Sequence, residues 1–369
     1  MSLSTCVKCA RKQISIKLYF NRWLYRKSTI LENENKRGGE SNDSGQDLLD
    51  LEAGLHRTNV KKTSTKNWYK PWRPHLDNKE KNTDVRFMSR KHAKQYNIQG
   101  EVLFGRHPVT LALKRKLREI YQLYISDQLK ESEKVEIQNI IQLADQMSVP
   151  FCVTSSQILD KLSAGRPHQG ICLDVSSKKY EAFDEESLSS HNINEHSPQL
   201  WLVLDRILDP MNLGAIIRSS YFFGVDRLLA TKSSCRLSPV VCKASSGTME
   251  LVDVFRVGDL SHFIKICSGL GWDVVATSSS SGETADRREK ERCVSLDDFH
   301  LDRNTIVIFG NEGTGLASGV LNLCRKLVYI EPNPGVSDNL ESLNVSVSAG
   351  VLLHSLTRVR RKKDRNKYM

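Results

Sequence analysis

The chain has 369 residues, of which 39% are hydrophobic and 26% charged, with a formal net charge of +11. That length allows two domains plus tails, and no apolar run approaches the roughly 18–20 residues of a membrane-spanning helix. The positive balance favours an acidic partner, most often a phosphate backbone, and nine dispersed cysteines fit a reducing compartment better than a disulfide scaffold.

The first segment, 1–31, contains no Asp or Glu, while Lys8, Arg11, Lys12, Lys17, Arg22, Arg26 and Lys27 are basic. An acid-poor, amphipathic stretch of this kind reads as a mitochondrial presequence; the alternative is a basic arm that touches RNA. Its Cys6-x-x-Cys9 pair has no second pair at zinc spacing, so no metal site is expected. Residues 32–99 are polar with little periodicity and read as a disordered extension. Within them Trp68, Tyr69 and Trp72 alternate with Lys66, Lys70 and Arg73, a composition suited to stacking on bases or to docking on a neighbouring domain.

Alternating strands and helices begin near residue 100. Strands are expected around 101–104, 120–125, 150–153 and 171–175, with helices over 110–118, 131–146 and 155–162. This small α/β unit spans 100–176. The acidic, polar stretch 177–199 reads as a linker. A second unit, 200–358, opens on the apolar strand 200–205, as expected for the middle of a parallel sheet. Further strands are expected near 227–230, 251–254, 273–277, 305–309 and 327–330. A last helix is expected from 346 to 358, before a basic tail at 359–369. Cys152, Cys172, Cys242 and Cys324 lie among apolar residues and are expected to pack as small hydrophobes.

Three segments of this second unit carry the chemistry. In 209–220, either Asp209 or Asn212 can cap the helix that bears Gly214 and Arg218. In 307–316, Gly310, Glu312, Gly313 and Gly315 follow a strand, and the glycines allow close backbone approach. Neither the dinucleotide nor the P-loop pattern is present, and the Glu312 carboxylate argues against a phosphate cradle. In 342–350, Ser342 and Asn344 stand where a final helix would be capped.

In their order and wording these segments resemble the signature motifs of the SpoU/TrmH family of RNA ribose 2′-O-methyltransferases. The unit at 100–176, with its His168-Gln169-Gly170 turn, resembles the L30e-like RNA substrate-binding domain that precedes the catalytic domain in many members. The resemblance implies a parallel-sheet α/β catalytic domain with a trefoil knot, S-adenosylmethionine as cofactor, and a homodimer acting on large-subunit rRNA. It assigns catalytic and RNA-contact roles to Asn212, Arg218, Glu312, Ser342 and Asn344, and cofactor contacts to Gly310, Ile330 and Leu343. Arg218 would grip a phosphate and orient the 2′-hydroxyl, because guanidinium stays protonated. Similarity to mitochondrial members implies a guanosine in the peptidyl-transferase loop and a matrix location. Two other readings stand beside it: a non-catalytic ribosome-assembly factor on the same fold, and a tRNA ribose methyltransferase.

Overall fold

The computed structural model describes residues 96–184, 188, 198–278, 290–333 and 342–368, with 359–368 as backbone alone. The basic arm at 1–31, the polar stretch to residue 95 with Trp68 and Trp72, most of the acidic segment, the loop 334–341 and the side chains of the basic tail lie outside these residues. All described residues belong to one unit, 87–369.

The smaller of two sheets holds β1 (Glu101–Phe104), β2 (Ile120–Ser126), β3 (Phe151–Thr154) and β4 (Ile171–Val175), ordered β1-β4-β2-β3. β4 runs antiparallel to both neighbours and is buried at every position, as its central place requires. Helices α1 (Arg106–Arg115), α2 (Glu131–Gln146) and α3 (Ser156–Leu162) connect these strands. The helix expected over 110–118 stops at Arg115, because Lys116 adopts a left-handed conformation (φ 56) and returns its N–H to Ala112 O, a common helix exit. The exit turns Arg118 inward, where it is 8% exposed.

The larger sheet is parallel throughout. Its strands are β5 (Glu181–Ala182), β6 (Leu200–Leu204), β7 (Arg227–Thr231), β8 (Val254–Val257), β9 (Asp273–Ser278), β10 (Cys293–Ser295), β11 (Thr305–Phe309) and β12 (Lys326–Tyr329). The order is β10-β12-β9-β11-β6-β7-β8-β5. The accompanying helices are α4 (Pro210–Phe223), α5 (Pro239–Ala244), α6 (Leu260–Gly269), α7 (Ser318–Leu323) and α8 (Val345–Tyr368). Burial on both faces accounts for the unbroken apolar strands. Leu200, Leu202 and Leu204 share one core with Leu213, Ile216 and Ile217 of α4 and Leu352, Leu353 and Leu356 of α8. Trp201 and Val203 share the other with Phe263 and Ile264 of α6 and Val320 of α7. The result is a three-layer α/β/α arrangement.

The strand expected at 251–254 starts only at Val254, because Thr248–Glu250 form a 3-10 turn before it. The short edge strands β5 and β10 have no periodicity to announce them, and α8 continues past 358 to Tyr368. Cys172, Cys242 and Cys324 are buried free thiols, whereas Cys152 is half-buried; burial pushes the Cys324 thiol up to about 12.

A buried ion network joins the two sheets. Arg118 donates from Nε and Nη2 to Glu250 Oε2 (3.0 Å) and Oε1 (2.7 Å), and from Nη1 to Glu101 Oε1 (2.6 Å) and Ser176 O (3.0 Å). The bidentate contact to Glu250 is the geometry that suits guanidinium and carboxylate. Burial nevertheless holds the Glu101 carboxyl above its usual range, against the pull of Arg118.

The strand order fixes where a ligand can sit. From β6 the chain moves outward through β7 and β8, then returns to β9, and β11 inserts between β9 and β6. The order therefore reverses between β6 and β11. The chain leaving the carboxyl end of β6 enters α4 on one face of the sheet and that leaving β11 enters α7 on the other, a switch point that is the usual ligand position in such sheets.

Candidate active site

The segment after β6 is stitched to the neighbouring strand connection before α4 begins. Arg206, held at φ 55, donates its N–H to Thr231 Oγ1 (3.1 Å); Ile207 N donates to Ser234 Oγ (3.2 Å). Asp209 then caps α4 by accepting the Met211 N–H (2.9 Å), with Pro210 at the first helical position, both favoured there. The cap is thus Asp209, and the Asn212 amide is free for another task.

That task links all three motif segments. Asn212 Nδ2 donates to Glu312 Oε1 (3.1 Å), and Asn344 Nδ2 donates to Asn212 Oδ1 (3.1 Å). An ionised carboxylate can only accept, so Glu312 dictates that the Asn212 amide nitrogen faces it and the Asn212 oxygen faces Asn344. Asn344 in turn uses its Oδ1 to accept from Ser346 N (2.9 Å) at the start of α8. Polarisation along such a chain strengthens its members.

The loop that bears Glu312 is shaped by Asn311 and Arg206, neither of which stood out in the sequence. Asn311 Oδ1 accepts from Gly313 N and Thr314 N (both 3.0 Å), its Nδ2 donates to Arg206 O (2.9 Å), and Arg206 Nη2 donates to Gly315 O (2.9 Å). Asn is a common loop-former through such side-chain turns, so an Asn beside three glycines was an available signal. Gly310 is required sterically: a Cβ there would lie 2.6 Å from the Gly315 carbonyl carbon and 2.7 Å from Leu316 N. Gly310→Ala is expected to displace the 310–316 loop and weaken S-adenosylmethionine binding at least tenfold in calorimetry. Unchanged affinity would show that this backbone does not shape the pocket.

Arg218 lies on another face of α4, exposed, and donates from Nη1 to Ser246 Oγ (2.9 Å). Gly214, one turn earlier on that face, makes the approach possible, since a Cβ would stand 2.5 Å from Ala244 Cβ and 2.7 Å from Val241 O. The structure brings Asn212, Glu312 and Asn344 into one hydrogen-bonded chain; Arg218 is joined to the α5 side and not to that chain. Ser342 is exposed, Leu343 is 46% exposed, and Ile330 packs half-buried against the core. Leu208, before α4, and Met211, in its first turn, are exposed next to this polar chain in sequence. A carboxylate, two amides and apolar side chains at the carboxyl ends of parallel strands suit a cationic, partly apolar ligand rather than a phosphate.

Two family descriptions match the chain: "SpoU rRNA Methylase family" over residues 199–354 and "RNA 2′-O ribose methyltransferase substrate binding" over residues 102–181. The chain belongs to the SpoU rRNA methylase family. Among its relatives, the Homo sapiens protein named rRNA methyltransferase 1, mitochondrial, is 36% identical over 261 residues, covering 69% of this chain and 72% of that protein. The Coxiella burnetii 23S rRNA (guanosine-2′-O-)-methyltransferase RlmB is 30% identical over 259 residues, covering 70% and 95%. The crystal structure of an AdoMet-bound rRNA methyltransferase from Sinorhizobium meliloti shares the fold, with a TM-score of 0.54 at 18% identity over 74% of this chain and 91% of that one.

Proposed function

We propose that this protein methylates a ribose 2′-hydroxyl of mitochondrial large-subunit rRNA with S-adenosylmethionine, at a guanosine of the peptidyl-transferase loop. The observation that carries the reading is the Glu312–Asn212–Asn344 chain, which unites the three motif segments at the β6/β11 switch point. The mitochondrial and guanosine-specific relatives support the choice of RNA.

The residues present fit the cofactor. Its sulfonium is a cation, for which the Glu312 carboxylate is a favourable neighbour, and the exposed Leu343 offers an apolar wall. In this reading Gly310, Ile330 and Leu343 hold the cofactor through their backbone, and the cofactor supplies an activated methyl group. Arg218 binds the phosphate beside the target ribose and stabilises charge on the 2′-oxygen as its proton leaves. Its present partner, the neutral Ser246 hydroxyl, is readily exchanged for a charged one. Glu312 fixes the Asn212 amide and, through it, that of Asn344, and Ser342, two residues before Asn344, belongs to the same motif segment. Preset dipoles of this kind need no reorganisation during the reaction.

The remaining assignments belong to the same reading. Residues 100–176 select the RNA, 177–199 link, 200–358 form the catalytic domain with a trefoil knot, and 1–31 direct the protein to the mitochondrial matrix. Exposed Tyr221 and Phe222 on α4, with Val347 and Val351 one turn apart on α8, support pairing of two copies. A tritiated-methyl transfer assay on total mitochondrial RNA tests the function. Label at one large-subunit ribose is the expected result; label confined to tRNA, or none despite bound RNA and cofactor, would replace this reading by a tRNA enzyme or an assembly factor.

A further inference from the structure

The seam between the small sheet and α5 holds one lysine whose charge meets no carboxylate among the described residues. Lys243 of α5 donates from Nζ to Gln169 Oε1 (2.8 Å), and the same oxygen accepts the Arg106 N–H (3.3 Å). Gly105, at φ 96, makes room for this contact, because a Cβ there would collide with Lys243 Nζ. Among the described residues Lys243 has no ion pair; its partner is a neutral amide. Burial lowers the Lys243 pKa, and the nearby Arg106 charge lowers it further. Arg106 itself pairs with Glu136 (2.9 Å), whose side chain is 43% exposed. Only the backbone N–H of Arg106 reaches the amide, its guanidinium being held by Glu136, so Lys243 is the cation here without a carboxylate, and an anion beside it would offset the repulsion it feels from Arg106.

The position of this seam ties it to the reaction. Ser246, three residues after Lys243, is the group that holds Arg218. Gln169 belongs to a pinned turn: it sits at φ 54, and His168 Nδ1 accepts the Gly170 N–H (3.0 Å). A fixed acceptor on the small sheet and a long, mobile-ended cation on α5 therefore meet beside the arginine that serves the ribose.

We propose that Lys243 seats a backbone phosphate of the substrate RNA, close to the nucleotide whose ribose faces Arg218, with the Arg106 charge nearby and Gln169 holding Lys243 until the phosphate arrives. This assignment rests on the reading of the protein as an RNA ribose methyltransferase. It makes RNA binding span the two sheets, and it explains why the cation at this seam meets an amide where a carboxylate would neutralise it.

The test uses the full chain and an in vitro transcript of the peptidyl-transferase region of mitochondrial large-subunit rRNA. K243Q keeps a hydrogen-bonding side chain and removes the charge; it is expected to raise KM and Kd for the transcript roughly tenfold. It should also reduce the slope of log affinity against log salt by about one contact's share, with S-adenosylmethionine affinity and Tm unchanged. Q169E separates this from a merely structural bridge. A structural bridge would be strengthened by the new carboxylate, raising Tm and leaving RNA affinity alone. The phosphate seat would be blocked, so that RNA affinity falls about as far as in K243Q. A wild type that methylates the transcript beside K243Q and Q169E variants of unaltered RNA affinity and salt slope overturns the seat alone. A wild type that neither binds nor methylates RNA overturns the functional reading and the seat with it.

Discussion

Arg218→Ala is expected to lower methyl transfer about a hundred- to thousandfold, the effect of deleting one preset donor to developing charge, while S-adenosylmethionine affinity and Tm stay near wild type. The separation follows from geometry. Arg218 is exposed and bonds to Ser246 Oγ, so its loss removes no core contact. It is also absent from the chain that joins Glu312, Asn212 and Asn344. Arg218→Lys should restore little, because an ammonium cannot present two parallel donors to a phosphate. Single-turnover rates with saturating RNA, beside cofactor titrations, read both quantities. A parallel loss of cofactor affinity would remove Arg218 from the role given to it.

The second large effect is on stability. Arg118→Ala strands Glu250 and Glu101, whose side chains are 1% and 14% exposed, and breaking a buried pair in this way costs about 3–5 kcal/mol. Equilibrium denaturation in urea should report that loss. The pH dependence has a definite sign. Burial already holds the Glu101 carboxyl above its usual range and Arg118 opposes that shift; without Arg118 its stabilising protonation is complete below the unfolded value and is lost as pH rises through the folded one. The deficit relative to wild type should therefore be smaller near pH 4.5 than near pH 7.5. A deficit under ~1 kcal/mol, or one that grows on acidification, would mean that water reaches the network and screens it.

Much of the candidate site was legible because the turns and caps that build it are local. Glycine beside a strand end, Asp-Pro before a helix and Ser-Leu-Asn before another each act within a few residues, through steric freedom and capping. Arg218 was singled out by motif resemblance, and its exposure fits a ligand-facing group. The same local reasoning left Asp209 and Asn212 equivalent as caps. Only the arrival of Glu312, 100 residues away, and Asn344, 132 residues away, decides that Asp209 caps and Asn212 bridges. Arg118 was read as the end of a basic helix; its partner Glu250 is likewise 132 residues distant. Asn311 and Lys243 passed unremarked for the same reason: each acquires its meaning from a partner on another loop or the other sheet.

The sequence by itself determined the alternation of strands and helices, the apolar strands of a doubly covered parallel sheet, the three polar segments and the family to which they belong. These follow from side-chain periodicity, turn sterics and capping, all of which operate over a few neighbouring residues. The tertiary structure alone decided the strand order that reverses between β6 and β11, the amide chain beside it, the buried Arg118 network and the Lys243 charge set on a neutral amide at the α1/α5 seam. Each depends on which distant groups meet once the loops are closed and the cores filled, and no local pattern encodes that meeting.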